Sequence, residues 1–267
     1  MNCKKLSIIT INYNNKSGLL KTIESIVNQT FQDFEFIIID GGSTDGSLEI
    51  IKEFSNNIDY WVSEPDSGIY NAMNKGVLVA TGEYCNFMNS GDCFYDRYIL
   101  GTIFKHETSA DILIGKARAP QRILLPPENP TFNYFYTRKP LNHQAAFIKR
   151  QLLIKYPYDE INLKIVSDWK FFIDALIIDN CSYKSIDEFV VKFDDKGIGS
   201  SDLNYNIYEQ SNVIKSAIYP RILEDYNRIQ YLDSVVLRMA IPIARFFDKY
   251  GKFFTPSKYY KKFKNLF

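Results

Sequence analysis

"FEFIIIDGGSTDGSLEIIKEFS", residues Phe34–Ser55, decides the fold. Phe36 to Ile39 form a short unbroken apolar run rich in β-branched residues, as in a strand buried on both faces. Asp40 ends the run, and "GGSTDGS" supplies turn formers and helix N-caps for a helix over "LEIIKEFS". The same unit repeats on either side. Upstream, "LSIITINY" is another buried strand, and in "KSGLLKTIESIVNQT" the residues Leu19, Leu20, Ile23, Ile26 and Val27 recur at helical spacing. Downstream come a weaker strand in "IDYWVSE", a helix in "GIYNAMNKGVLVA" that tolerates Gly76, and a fourth strand in "GEYCNFM".

Strands alternating with helices predict an α/β fold of right-handed crossovers, a mainly parallel sheet with helices on both faces. In such sheets ligands bind beyond the carboxyl ends of the strands. Those ends carry Thr10, Asn12, Tyr13 and Asn14 on the first strand, Asp40 on the second, Glu64 and Asp66 on the third, and Asn89 and Asp92 on the fourth. Polar loops are ordinary turn chemistry. Four successive strands delivering polar or acidic groups to one rim mark a binding site.

The rest of the chain narrows the function. A length of 267 residues suits one large core with an appendage, and a net charge of +1 argues against a general nucleic-acid binder. Cys3, Cys85, Cys93 and Cys181 have no zinc-ligand spacing and no disulfide framework, so a reducing cytosol is the expected compartment. The opening "MNCKKLSIITINY" reads as a first strand rather than a signal peptide, and no segment approaches the roughly 18–20 apolar residues of a spanning helix. A dinucleotide-binding dehydrogenase is excluded because "NYNNKSG" after the first strand is not GxGxxG.

"LSIITINYNN", "SIVNQTFQDFEFIIIDGGSTDGS", "EPDSGIYNAMNKGVLVATGEY" and "NFMNSGD", in this order and spacing, resemble the nucleotide-sugar half of family 2 glycosyltransferases of the Rossmann-like GT-A fold. The likeness runs from about residue 6 to residue 100, then thins to "NHQAAFIKR", "SDWKFF" and "VKFDDKGIGSS". It implies inverting transfer of a sugar from a UDP-sugar to an acceptor hydroxyl, assisted by Mn2+ or Mg2+. The acceptor expected is a saccharide or lipid-linked intermediate of cell-surface polysaccharide. The alternative is a protein that kept the fold and binds nucleotide or sugar without catalysis.

Mapped onto this sequence, the resemblance puts Asp40 against a uracil imide, with Thr10, Asn12 and Tyr13 edging base and ribose. Asp66, Asn74 and Asn89 line the donor site, and Lys75 either approaches the diphosphate or faces solvent. Where the family places a DXD-like pair, this chain has "NSGD", leaving Asp92 as the single anionic metal ligand. One carboxylate plus substrate phosphates is a workable Mg2+ or Mn2+ set that binds weakly without nucleotide; the bland role for Asp92 is a cap on a helix starting near Tyr95. Asp168, in the first turn of "VSDWKFFIDALII", is the expected general base, ahead of Asp174 deeper in that helix. His143 is placed at the phosphate or acceptor side, while His106 has no supporting context.

The organisation expected is a catalytic domain over 1–200, divided into a nucleotide-sugar half (1–100) and an acceptor half (101–200), then a helical extension over 201–267. The Pro-rich "RAPQRILLPPENPTFNY" reads as a loop beside the acceptor cleft, and "FNYFYTRK" as its aromatic floor or as core. The last thirty residues interleave Lys and Arg with Phe and Tyr and contain Asp248 as the only acid, which suits an anionic membrane surface. The expected location is cytoplasmic, with this tail attaching the protein to the inner face of the cytoplasmic membrane.

Overall fold

The computed structural model describes residues 4–105, 108–193 and 203–234. The chain divides into two compact units, Met1–Ala217 and Ile218–Phe267. In the second, residues 220–234 are helical.

The first unit begins with β1 (Leu6–Asn12), α1 (Lys16–Val27), β2 (Phe34–Asp40), α2 (Ser47–Glu53), β3 (Tyr60–Ser63), α3 (Ile69–Val79) and β4 (Tyr84–Phe87). These are the strands and helices the sequence predicts. A second set follows: β5 (Cys93–Phe94), α4 (Ile99–Phe104), β6 (Ile112–Arg118), β7 (Ile123–Leu124), α5 (Phe132–Tyr136), β8 (Ala146–Lys149), α6 (Arg150–Lys155), α7 (Ser167–Ile173), β9 (Tyr183–Lys192) and α8 (Leu203–Ala217). All nine strands join one sheet in the order β3-β2-β1-β4-β8-β6-β9-β5, with β7 on β6.

β3, β2, β1 and β4 are mutually parallel, so their carboxyl ends share one rim. The second half is mixed: β8 runs antiparallel to β4 and β6, and β9 parallel to β6. Order 3-2-1-4 reverses direction between β1 and β4, which opens a crevice at that point.

The side-chain period of two splits each central strand between two helical layers. Leu6, Ile8, Phe36 and Ile38 join Leu19, Ile23 and Ile26 of α1 and Ile50 and Ile51 of α2 in one core. On the opposite face α3 lies so close that a Cβ on Gly76 would stand 2.5 Å from Ile9 Cγ2. Gly76 is therefore the contact point that seats α3 on the sheet.

Helix α8 lies inside the compact unit that ends at Ala217, although it follows the end of the predicted catalytic domain at residue 200. His106, the end of "VKFDDKGIGSS" from Asp194 onward, and the basic aromatic tail from residue 235 lie outside the described residues.

Candidate active site

Three strands finish in register at the rim: Asn12 pairs with Asp40, and Asp40 with Ser63. Asp40 is wholly buried. Its Oδ1 accepts from Asn12 Nδ2 at 2.7 Å and Ser43 Oγ at 2.6 Å, and its Oδ2 from Ser43 N at 2.9 Å and Ser63 Oγ at 2.6 Å. Burial works to raise the carboxyl pKa, but the hydrogen bonds from Ser43, Ser63 and Asn12 outweigh it and hold the group below its ordinary 3.8. This corrects the sequence assignment. Four protein donors fill the acceptor positions of Asp40, so it ties three strand ends together and offers no lone pair to a base. Asn12 is drawn into the same network, and Thr10 is wholly buried within β1 rather than edging a ligand.

The carboxylate that does face the rim is Asp66. A Cβ on Gly41 would meet Asp66 Oδ2 at 2.7 Å and Tyr13 Cδ2 at 3.2 Å, so the glycine vacates the space the acid occupies. Asp66 Oδ1 accepts from Gly68 N at 2.9 Å, and Oδ2 takes no hydrogen bond among the described residues. Tyr13 beside it is 69% exposed, a free aromatic face next to an open acceptor.

Helix α3 was expected to offer Asn74 and Lys75 to the donor. Both amide atoms of Asn74 instead hold the main chain of Tyr158, at 2.8 and 3.0 Å, because the segment after α6 needs fastening to the helix. Lys75 pairs with Glu64 at 2.7 Å on the surface.

The other wall of the crevice brings His143 and Asp168 together. His143 opens a single 3-10 turn, His143–Ala145, whose cap Asn142 accepts from Ala145 N at 2.9 Å. Asn86, wholly buried on β4, donates to the carbonyls of Gln144 and Ala146, both at 2.9 Å, and locks the turn to the sheet. The imidazole Nδ1 then stands 2.9 Å from Asp168 Oδ2. Asp168 is the second residue of α7 and does not cap it; its Oδ1 receives the Tyr70 hydroxyl at 2.9 Å, and that hydroxyl also lies 2.6 Å from the Ile165 carbonyl. Burial alone raises the Asp168 pKa, yet the bond and charge of His143 and the Tyr70 hydroxyl hold it below 3.8. The same burial and the nearby charge of Asp168 push the Tyr70 phenol well above 10.0, so Tyr70 acts only as a neutral donor.

His143 Nε2 points to Asn89, 3.4 Å from its Nδ2, at the carboxyl end of β4. Asn89 Oδ1 is buried without a partner among the described residues. Asp92 is 5% exposed, and its carbonyl accepts from Thr22 Oγ1 at 2.7 Å. Because the next helix starts at Ile99, Asp92 is not its cap. Among the described residues no group of three His, Cys, Asp or Glu is placed to hold a metal ion. Asp174 pairs with Lys170 at 2.6 Å, and Phe135 of the aromatic run is core, edge-on to Trp169.

Two site residues escape the sequence reading. Tyr70 precedes Asn74 by one helical turn on α3, a spacing that places both toward the same neighbour. Asn86 hides among apolar strand residues, and only its polarity in a buried strand signals a role.

The family model described as Glycosyl transferase family 2 matches residues 7–157. The chain is 28% identical over 209 residues to an uncharacterised glycosyltransferase of Mycobacterium tuberculosis, covering 73% of this chain and 77% of the relative. It is 30% identical over 172 residues to the PGL/p-HBAD biosynthesis glycosyltransferase of Mycobacterium bovis, covering 62% and 67%. Its fold matches S. aureus TarS 1–349 in complex with UDP-GlcNAc, with TM-score 0.64 and 21% identity over 80% of this chain and 65% of that one. It also matches the mannosyltransferase PcManGT from Pyrobaculum calidifontis, in complex with GDP-Man and Mn2+, with TM-score 0.55 and 15% identity over 71% and 56%. The chain thus spans less than two thirds of those solved chains. With more than half of its length matched by the family model, this chain belongs to glycosyl transferase family 2. It is a glycosyltransferase with the GT-A fold.

Proposed function

We propose that the protein transfers a sugar from a UDP-sugar to an acceptor hydroxyl with inversion, and that the His143–Asp168 pair takes the acceptor's proton. The contact between these two side chains carries the reading. Asp168 accepts from Nδ1–H, which fixes the imidazole tautomer and leaves the Nε2 lone pair directed to the end of β4. In the reaction the acceptor oxygen bonds to the anomeric carbon, and the bond from that carbon to the diphosphate oxygen breaks with its electron pair leaving on UDP. The hydroxyl proton passes to Nε2, and the Asp168 carboxylate stabilises the imidazolium. From the sequence the expected base is Asp168, with His143 at the phosphate or acceptor side; the 2.9 Å contact between them supports a role shared by the two.

On the other wall, Asp66 accepts from the uracil imide and Tyr13 offers its ring to the base. This assignment rests on the open Oδ2 and the exposed ring described above. Hard oxygen donors are the kind Mg2+ and Mn2+ take, and the Asp92 carboxylate and the unpartnered Asn89 amide oxygen would hold such an ion together with the donor phosphates. When bound, the ion supplies electrostatic stabilisation of the leaving diphosphate. With Asp92 as the one carboxylate of that set, the residues alone would hold such an ion weakly, and the donor phosphates would complete its ligands.

The acceptor we infer is a lipid-linked or saccharide intermediate of a surface polymer or glycolipid. The M. bovis relative, named for PGL/p-HBAD biosynthesis, supports that reading. A thermal-shift panel of UDP, GDP, CDP and dTDP, each with and without Mn2+, tests the donor. Stabilisation by UDP that requires Mn2+ is expected. No shift with any nucleotide favours the non-catalytic alternative.

A further inference from the structure

Glu209, on α8, lies outside the family match at 7–157 and is only 2% exposed. Its carboxylate has no ion pair among the described residues. It accepts instead from three consecutive backbone amides: Oε1 from Lys164 N at 2.8 Å, and Oε2 from Ile165 N at 2.9 Å and Val166 N at 3.2 Å. These residues lead directly into α7, two positions before Asp168. A buried carboxylate satisfied wholly by one run of main chain fixes that run rigidly, because losing any of the three bonds leaves buried charge short of donors.

The run it fixes is joined to the proton-accepting pair. The Tyr70 hydroxyl has a single proton and two acceptors, the Ile165 carbonyl at 2.6 Å and Asp168 Oδ1 at 2.9 Å. The position of the Ile165 carbonyl therefore sets how that proton is shared, and with it the basicity and orientation of Asp168. Around this carboxylate stand His143 from the turn before β8, Tyr70 from α3 and Tyr158 from the segment after α6.

We infer that Glu209 is a positioning residue for the transfer step: through residues 164–166 it holds Ile165, Tyr70 and Asp168 in the geometry that keeps the His143–Asp168 pair competent. The inference rests on the base assignment proposed above. It makes α8, through this main-chain clamp, a part of the catalytic apparatus.

The full-length chain carrying Glu209→Gln tests it, alone and combined with Asp168→Asn. The readouts are UDP affinity, donor KM, and UDP release from whichever of UDP-glucose, UDP-galactose and their N-acetyl forms turns over fastest. Glu209→Gln keeps the shape but sets an amide against backbone donors. Turnover is expected to fall at least tenfold well below the unfolding temperature, with UDP affinity and donor KM unchanged, and to fall no further when Asp168→Asn is already present. Wild-type turnover in Glu209→Gln, or an equal loss in both backgrounds, overturns the inference. If Asp168→Asn itself keeps full turnover, the base assignment is at fault, and Glu209 with it. Should Glu209→Gln fail to fold, Tyr70→Phe probes the same linkage with the clamp intact: a tenfold loss at unchanged UDP affinity is expected, and unchanged turnover contradicts the linkage.

Discussion

His143 and Asp168, 25 residues apart in the chain, meet at 2.9 Å between Nδ1 and Oδ2 on the wall of the crevice opposite Asp66 and Tyr13. Each is immobilised from behind, His143 by the turn that Asn86 clamps and Asp168 by Tyr70. If the pair is the proposed base, it needs no reorganisation at the moment of proton transfer. Replacing His143 with Ala is expected to lower turnover about 10²–10⁴-fold, the ordinary contribution of general-base catalysis. Steady-state kinetics beside UDP titration checks it. A matching loss of UDP affinity would assign His143 to donor binding instead.

Gly41→Ala isolates the proposed role of Asp66. The new methyl group would meet Asp66 Oδ2 at 2.7 Å, so the carboxylate must move. UDP affinity is expected to drop about 10–100-fold, the worth of a charge-assisted hydrogen bond, while the melting temperature stays near wild type. Calorimetric titration with UDP reads this directly; unchanged affinity would remove Asp66 from the base site.

Asp40→Asn addresses stability rather than catalysis. An amide group there turns one acceptor into a donor facing Asn12, Ser43 or Ser63, and a loss of about 1–3 kcal/mol in denaturant unfolding is expected. The pH dependence follows from direction alone. A carboxyl whose folded pKa is depressed contributes stability that is fully present above its unfolded value near 3.8 and is lost as pH falls through the lower folded value. Asp40 and Asp168 therefore place acid destabilisation below about pH 4, and Asp40→Asn should flatten that limb of the stability curve. An unaltered acid limb would mean that the Asp40 network does not govern it.

The alternation of β-branched runs with amphipathic helices made the first half of the sheet legible, since local periodicity and turn chemistry determine β1 to β4. The second half was harder to read because β5 and β7 have two residues each, too few for a period to show, and β5 pairs with β9 across a long stretch of chain. At the candidate site, Asp168 and His143 were singled out from sequence separately, and their mutual contact was not legible there. Asp40 shows the limit from the other side. A strand-end aspartate has one appearance in sequence whether it faces ligand or neighbours, and only the register of Asn12, Asp40 and Ser63 distinguishes the two. Glu209 left no local signal, being 45 residues beyond the first amide it holds.

Asp92→Ala is expected to remove the Mn2+-dependent part of UDP stabilisation and to leave UDP binding without metal unchanged. Thermal shift with Mn2+ and with chelator separates the two. Equal Mn2+ dependence in both proteins would take Asp92 out of the metal set.

The basic aromatic tail is expected to bind anionic membrane. Flotation with phosphatidylglycerol vesicles should recover the full chain and not one truncated after residue 234. Equal recovery of both contradicts membrane attachment through the tail.

The decisive measurement is UDP release from a panel of UDP-sugars, comparing wild type with Asp168→Asn, beside UDP affinity for both. Turnover by the wild type, a loss of about 10²–10⁴-fold in the variant, and equal UDP affinity are expected. Turnover in Asp168→Asn at the wild-type rate would contradict it.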